Sequence, residues 1–557
     1  MTAVTTEVTV KSAVLDDAHL GDIHGAFGTI RLGDAGARST WASRLRTLLA
    51  VVGPGLIVMI GDNDAGAFST YGQAGQDYGT RLLWTLLVLV PVLYVNQEMV
   101  LRLGAVTGVG HARLILSRFG KFWGAFEIVD LFILNSLTII TEFIGITLAA
   151  GYLGLPKVLA VLLAAAVIVS TAFTGSFRAF ERIAMAFCAG SLLLVPLYLL
   201  SHPSGAAMAG GLTSPALPGG AGTGGLSAVM LLVIGIVGTT VAPWQLFFQQ
   251  SYVIDKRITP RFIRYEKADL WIGIVIVVLG AAAVMGIVSA AVAGTPAAGH
   301  FTDATGVAHA IAGHAGHVAG ALFAVALLDA SVIGAFAVSL STAYAIGDVA
   351  GMKHSLHRGV GQAKGFYALY GALTGGAAAV VLIPGSPLGL ITEGVQVLAG
   401  VLLPAATVFL LMLCNDRAVL GPWANGRKTN LFTGVVIAGL IALSVVLTGS
   451  VLDPSISAGQ IEAIMVACAV VALAVAAWFP VRAAFRQGTA RRRHAGDAAA
   501  TAAGAGADKM TWRMPPLAEL PAPVITGARK WGLAGLRAYL AVAMIGVIVK
   551  TVLLAVH

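Results

Sequence analysis

Apolar runs of about twenty residues recur from near Leu48 onward, and this recurrence decides what the chain can fold into. A helix needs roughly that length to cross the hydrocarbon core of a bilayer. Of 557 residues, 57% are hydrophobic and only 11% are charged, more apolar surface than a soluble fold can hide. An all-helical, multi-pass membrane protein is expected. The polar stretch before the first run holds Glu7, Asp16, Asp17 and Asp22 and has no short apolar core, so no cleaved signal peptide is expected. Cys188, Cys414 and Cys468 are odd in number and scattered, which argues against a disulfide framework or a thiolate cluster.

A net charge of +9 invites a nucleic-acid reading, and the placement of the charge argues against one. No Lys or Arg occurs in 183–255, 268–352, 365–416 or 429–481, and each gap holds two apolar segments between basic clusters. Helical hairpins whose basic loops stay on the cytoplasmic side read this way. Arg81 and Lys157 are the exceptions. Twelve spans follow, near 48–74, 82–103, 123–152, 157–175, 181–201, 226–252, 269–293, 317–350, 364–384, 388–413, 430–450 and 457–480. The expected division is a cytoplasmic N-terminal tail at 1–46 and a five-helix half at 47–201, then a second half at 226–413. Helices 11 and 12 would occupy 430–480, with a flexible basic tail at 481–530 and a possible membrane or interfacial helix at 531–557. The expected location is the cell (plasma) membrane, with the N-terminus cytoplasmic.

Two spans are interrupted. The first holds Gly61-Asp62-Asn63-Asp64-Ala65-Gly66-Ala67, two carboxylates and an amide among glycines at its middle. A charge at mid-membrane costs roughly 2.5–3.5 kcal/mol on insertion scales, so it needs a reason. Glycine lets the helix unwind and free carbonyl oxygens, and these with carboxylates suit hard divalent cations. The alternative is a kinked helix with bridged, buried aspartates. The sixth span holds Gly238-Thr239-Thr240-Val241-Ala242-Pro243-Trp244-Gln245, where Pro243 removes a hydrogen bond in mid-helix. Paired breaks in corresponding positions of two halves point to inverted repeats around a midplane site.

Together with Phe68-Ser69-Thr70-Tyr71-Gly72-Gln73-Ala74-Gly75, these segments resemble the Nramp family of divalent metal transporters over approximately 48–450. The resemblance implies a leucine-transporter-like fold, a 5+5 inverted repeat with broken helices 1 and 6 and about 12 spans. The family's Asp-Pro-Gly-Asn ligand motif falls on Asp64-Ala65-Gly66-Ala67, its Met-Pro-His motif on Ala242-Pro243-Trp244, and a closing glutamine on Gln396. The family's methionine, ligand asparagine and histidine are thus Ala242, Ala67 and Trp244 here. That pattern resembles the Nramp-related magnesium transporters. Losing the thioether removes the preference for transition metals, and a hydrated Mg²⁺ suits a carboxylate site. Asp64 is the expected anchor, with Asp62, Asn63, Gln245 and Gln396 in support, carbonyls near Gly66 and Ala242 contributing, and Trp244 walling the cavity. Ile139 stands where proton-coupled relatives have Asp, and Glu142 survives on the same span, so coupling to protons is expected to be weak or absent.

The expected function is secondary transport of Mg²⁺, with Mn²⁺ also accepted, by alternating access; no enzyme motif and no resident cofactor is expected. The partners are the transported ion and the bilayer, without nucleic acid. The rival is a proton-coupled Mn²⁺/Fe²⁺ symporter, and behind it stand an organic-solute carrier of the same fold and a non-transporting metal sensor. Asp329 is a candidate path residue or a bridge to a neighbouring helix, and Glu98 with Arg102 reads as an ion pair. His300, His309, His314 and His317 read as a mobile outer loop rather than a metal site.

Overall fold

A computed structural model of the chain describes residues 17–34, 36–215, 217–218, 225–384, 388–452, 456–457, 459–474, 509–521 and a few positions within 532–538. The possible helix at 531–557 and most of the tail at 481–530 lie outside the described residues. Elsewhere helix prevails, because a backbone without water partners must satisfy its own N–H and C=O groups. The first half comprises α1 (Trp41–Val51), α2 (Pro54–Ile60), α3 (Ala65–Tyr78), α4 (Trp84–Thr107) and α5 (His111–Phe119). It continues through α6 (Lys121–Tyr152), α7 (Lys157–Ala172), α8 (Phe177–Gly190), α9 (Leu194–Ser201) and α10 (Gly205–Thr213). The second half holds α11 (Gly225–Thr240), α12 (Pro243–Asp255), α13 (Ile263–Val292), α14 (Ala304–Ala315) and α15 (His317–Ala350). It ends with α16 (Lys364–Val381) and α17 (Leu388–Cys414), and α18 (Arg417–Leu420) and α19 (Arg427–Leu452) follow it. Among the described residues, 8 helices are long and apolar enough to cross a membrane, or 9 with α1 and α2 taken as one span bent by 54°. Twelve were expected. With the bent pair counted, three of the twelve remain: α7 and the helix Gly459–Ala474 are short, and α16, 18 residues opening on Lys364, falls outside the set.

Both expected interruptions are present. Pro54 starts α2, Gly61 ends it, and Asp64 then takes extended backbone and caps α3. Ala242, extended because a proline follows, separates α11 from α12, and Pro243 sits in the first turn of α12, where its missing N–H costs nothing. The two halves pack as counterparts. Helix α13 lies on α2 and α3, while α4 lies on α11 and α12; α6 and α15 pack on each other. Likewise α17 meets α11 as α8 meets α2, and α16 meets α6 as α7 meets α15. Exchanging the halves reproduces each pairing, as a two-fold-related repeat requires.

Short polar segments cover the face that carries the basic loops. Residues 17–34 include a hairpin of β1 (Ile23–Gly25) and β2 (Gly28–Ile30) that packs on α1, with β1 also against α8. Arg257 donates to the Ala18 carbonyl at 2.7 and 2.9 Å, and Arg182 to the Ala26 carbonyl at 3.1 Å. Inside the stretch read as a flexible tail, residues 509–521 lie docked: Met514 N–H donates to the Val106 carbonyl at 3.1 Å and Arg118 to that of Pro521 at 2.8 Å. The histidine-bearing loop before α15 is not wholly mobile either. Asp303 caps α14, which packs on α3, α13 and α15.

Candidate functional site

The two breaks meet at the centre of the bundle. Asp62 and Asp64 are 0% and 3% exposed. Asp64 Oδ1 accepts from the Ala67 N–H at 2.9 Å, so one oxygen caps α3. Asp62 Oδ1 accepts from the Gln245 amide, which bridges the first break to the second. Gln245 Oε1 in turn accepts from Gln97 Nε2 at 2.7 Å. Gln97, on α4, escaped the sequence reading because an amide in an apolar span has no local motif. Across the break, Glu142 Oε2 accepts from the Ala65 N–H at 3.1 Å. Gly334 of α15 makes room for this contact, since a methyl built there would come within 2.7 Å of Glu142 Cδ and 2.9 Å of Asp64 Cβ.

Helix α17 closes the other side. A methyl on Gly66 would lie 2.7 Å from Gln396 Cδ and 3.2 Å from Asp64 Oδ1, so Gln396 reaches the break through the space glycine leaves. The remaining candidates divide. Asn63 turns away, donating to the Val277 carbonyl at 3.2 Å. Trp244 is fully buried edge-on to Phe248 and faces Gly61, where a methyl would meet its Cη2 at 3.6 Å. The Gly66 carbonyl, inside α3, accepts from the Thr70 hydroxyl at 2.8 Å as well as serving the helix ladder, so both its lone pairs are used; that of Ala242, at the break, accepts from the Gln245 N–H at 3.2 Å. Ala67 adds a buried methyl and a capped N–H, and Ile139 is buried in the apolar core.

Five polar atoms around the break are buried and lack a protein partner, Asp62 Oδ2, Gln97 Oε1, Glu142 Oε1, Trp244 Nε1 and Gln396 Nε2, as does Asn63 Oδ1 on the side turned to α13. Buried polar groups are rarely left so, and an ion with its water would satisfy them. Among the described residues no three His, Cys, Asp or Glu side chains converge tightly enough to hold a metal ion by themselves. Any cation here is completed by amide, carbonyl or water oxygens. Glu98 belongs elsewhere, pairing with Arg102 at 3.1 Å and Lys267 at 2.8 Å. Asp329 abuts Gly190, and among the histidines of 300–317 His314 meets the Ser201 carbonyl at 3.1 Å.

A second polar cluster, missed in the sequence, lies under α2. Lys256, at the end of α12, pairs with Glu181 at 2.7 Å and donates to the Val52 carbonyl at 2.7 Å, with both side chains fully buried. Asp269 accepts from the N–H groups of Gly53 and Gly55 at 3.1 and 2.7 Å, satisfying the start of α2. Gly53 has φ 151°, which favours glycine. In sequence, Lys256 marks only a loop boundary and Asp269 only the start of a span.

A family model described as natural resistance-associated macrophage protein-like matches residues 55–450. The chain is 28% identical over 426 residues to the divalent metal cation transporter MntH of Burkholderia ambifaria, covering 72% of this chain and 89% of that one. It is 30% identical over 439 residues to the MntH of Ralstonia nicotianae, covering 72% and 92% respectively. Its backbone matches the manganese transporter of Eremococcus coleocola, solved with an aromatic bis-isothiourea substituted compound, with a TM-score of 0.59. Identity there is 20%, over 80% of this chain and 96% of that one, a likeness of fold.

Proposed function

The chain belongs to the Nramp family, and on that premise we propose that it carries a hard divalent cation, Mg²⁺ as well as Mn²⁺, held largely hydrated between its two broken helices. It is a divalent metal cation transporter rather than an enzyme. The observation that carries the choice of cargo is the donor set. Asp62 and Asp64 with amide and carbonyl oxygens face the break, and alanine stands at 242 where the family's thioether would favour softer metals. With no dense cluster of ligands, a cation that keeps much of its water fits best, and the unpartnered oxygens of Asp62 and Glu142 suit water as donor.

Movement follows from the breaks. The ion enters while the outer half of the bundle is open, Gln396 of α17 closes on it, and α2 then swings from the polar cluster of Glu181, Lys256 and Asp269 to release it. An inside-negative potential of 100 mV supplies about 4.6 kcal/mol for a dication. Apolar Ile139 and non-titrating Trp244 favour uptake without proton coupling.

The second reading is proton-coupled Mn²⁺ transport. Glu142 favours it, a carboxylate retained beside Asp64, and so do the relatives described as manganese or MntH transporters. Mg²⁺ and Mn²⁺ influx into proteoliposomes at two pH values, wild type against Asp64→Ala, decides between them. Influx of both ions that is lost in the variant and indifferent to a proton gradient supports the proposal. Gradient-driven Mn²⁺ influx without Mg²⁺ influx replaces it with the second reading.

A further inference from the structure

A groove of about 840 Å³ opens on the face of the basic loops, away from the transport site. Its walls are α5, the start of α6, the end of α15 and the docked tail, and its lining combines Arg113, Ser117 and Lys121 with apolar Ile128, Val129 and Leu517. Arg113 commits one N–H to the Val349 carbonyl at 3.1 Å, which pins the guanidinium to the groove wall, while Lys121 is exposed. From the groove an exposed apolar stripe runs along α6 through Phe122, Val129, Phe132 and Ile133. In a membrane-spanning helix such a stripe faces acyl chains.

We propose that this groove binds an anionic glycerophospholipid, its phosphate on Arg113 and Lys121 and one acyl chain along the α6 stripe. Two cations in the lining, Lys121 at the first residue of α6, and exposed apolar residues further along the same helix match a molecule with an anionic head and a long apolar tail. Basic pockets at the end of transmembrane helices recruit such lipids by the same complementarity. Leu517 and Ala518 complete the wall only because the tail is docked, by Arg118 on Pro521 and Met514 on Val106. The lipid site and the docked tail therefore form together.

Native mass spectrometry of the full chain in detergent, titrated with dioleoyl phosphatidylglycerol, dioleoyl phosphatidylcholine or glycerol 3-phosphate, tests this. The expected order is phosphatidylglycerol far ahead of the other two. Arg113→Ala with Lys121→Ala should weaken it about thirty-fold, about five-fold for each charge removed. Lys121→Glu alone, at an exposed position that does not threaten folding, should weaken it at least as much as Lys121→Ala, and Leu517→Glu should lower acyl-chain retention. Equal binding of the two lipids overturns the proposal, as does phosphatidylglycerol binding unaffected by Lys121→Glu. Tight binding of glycerol 3-phosphate replaces the lipid with a free phosphate ligand.

Discussion

At the scale of residues, Asp64 does two jobs that can be separated. Its Oδ1 caps α3, and its charge faces the break. Asparagine caps a helix about as well as aspartate, whereas alanine costs about 1 kcal/mol. Asp64→Asn should therefore abolish divalent flux with little change in thermal midpoint, while Asp64→Ala loses flux and stability together. Restored flux in Asp64→Asn would show that the charge is dispensable. Ala242→Met tests the oxygen-only donor set: with a thioether returned, Cd²⁺ should inhibit Mn²⁺ influx about tenfold more tightly, roughly 1.4 kcal/mol. These positions were legible in the sequence because a carboxylate or a proline in mid-span breaks a strong local rule. Gln97 and Lys256 were not. Gln97 matters through a hydrogen bond to a residue 148 positions away, and Lys256 through a pair 75 positions away, and no local pattern encodes either.

At the scale of elements, the spans were read well where apolar length alone defines them, as for α15, which begins and ends where expected. The histidine-bearing loop was read less well, because its Gly, Ala and His residues obscure the short cap-driven α14. Close helix approach is the other feature hidden from one sequence. Gly238 of α11 faces the backbone of α17, where a methyl would meet Gly400 N at 2.5 Å and crowd the Gln396 carbonyl. In an isolated helix Gly→Ala gains up to about 1 kcal/mol. Here overpacking of about 1–3 kcal/mol reverses the sign. Gly238→Ala should lower the thermal midpoint and slow transport by holding Gln396 off the break. A stabilised variant with normal flux would mean that α17 does not close there.

At the scale of the whole molecule, the N-terminal segment bridges the ends of several helices on the basic face, with contacts to α1, α8, α12 and the loop before α16. His24 of the hairpin lies 6.3 Å from the ring of His357, and His357 stacks on Phe177 at 5.0 Å. Burial, with Arg178 and Arg257 beside it, holds His24 below its ordinary value; burial also lowers His357, although Asp255 opposes the shift. A histidine whose folded value is depressed stabilises the fold fully above its unfolded value of about 6.5, and that stabilisation is lost as the pH falls below it. Acid should therefore loosen the hairpin. Protection of the amides of 23–30, taken as exchange relative to the intrinsic rate, which itself slows toward acid, should fall between pH 7.5 and 5.5, and less so in His24→Gln with His357→Gln. Unchanged protection across that range would dismiss the idea. This loosening bears on the transport test, since acid on the basic face would speed release even from a carrier that moves no protons. Symport requires a proton gradient and a defined direction; hairpin release requires only low pH on one face. Flux at equal pH on both sides, raised by acid in wild type but not in the double glutamine variant, would assign the acid effect to the hairpin and leave the ion site uncoupled.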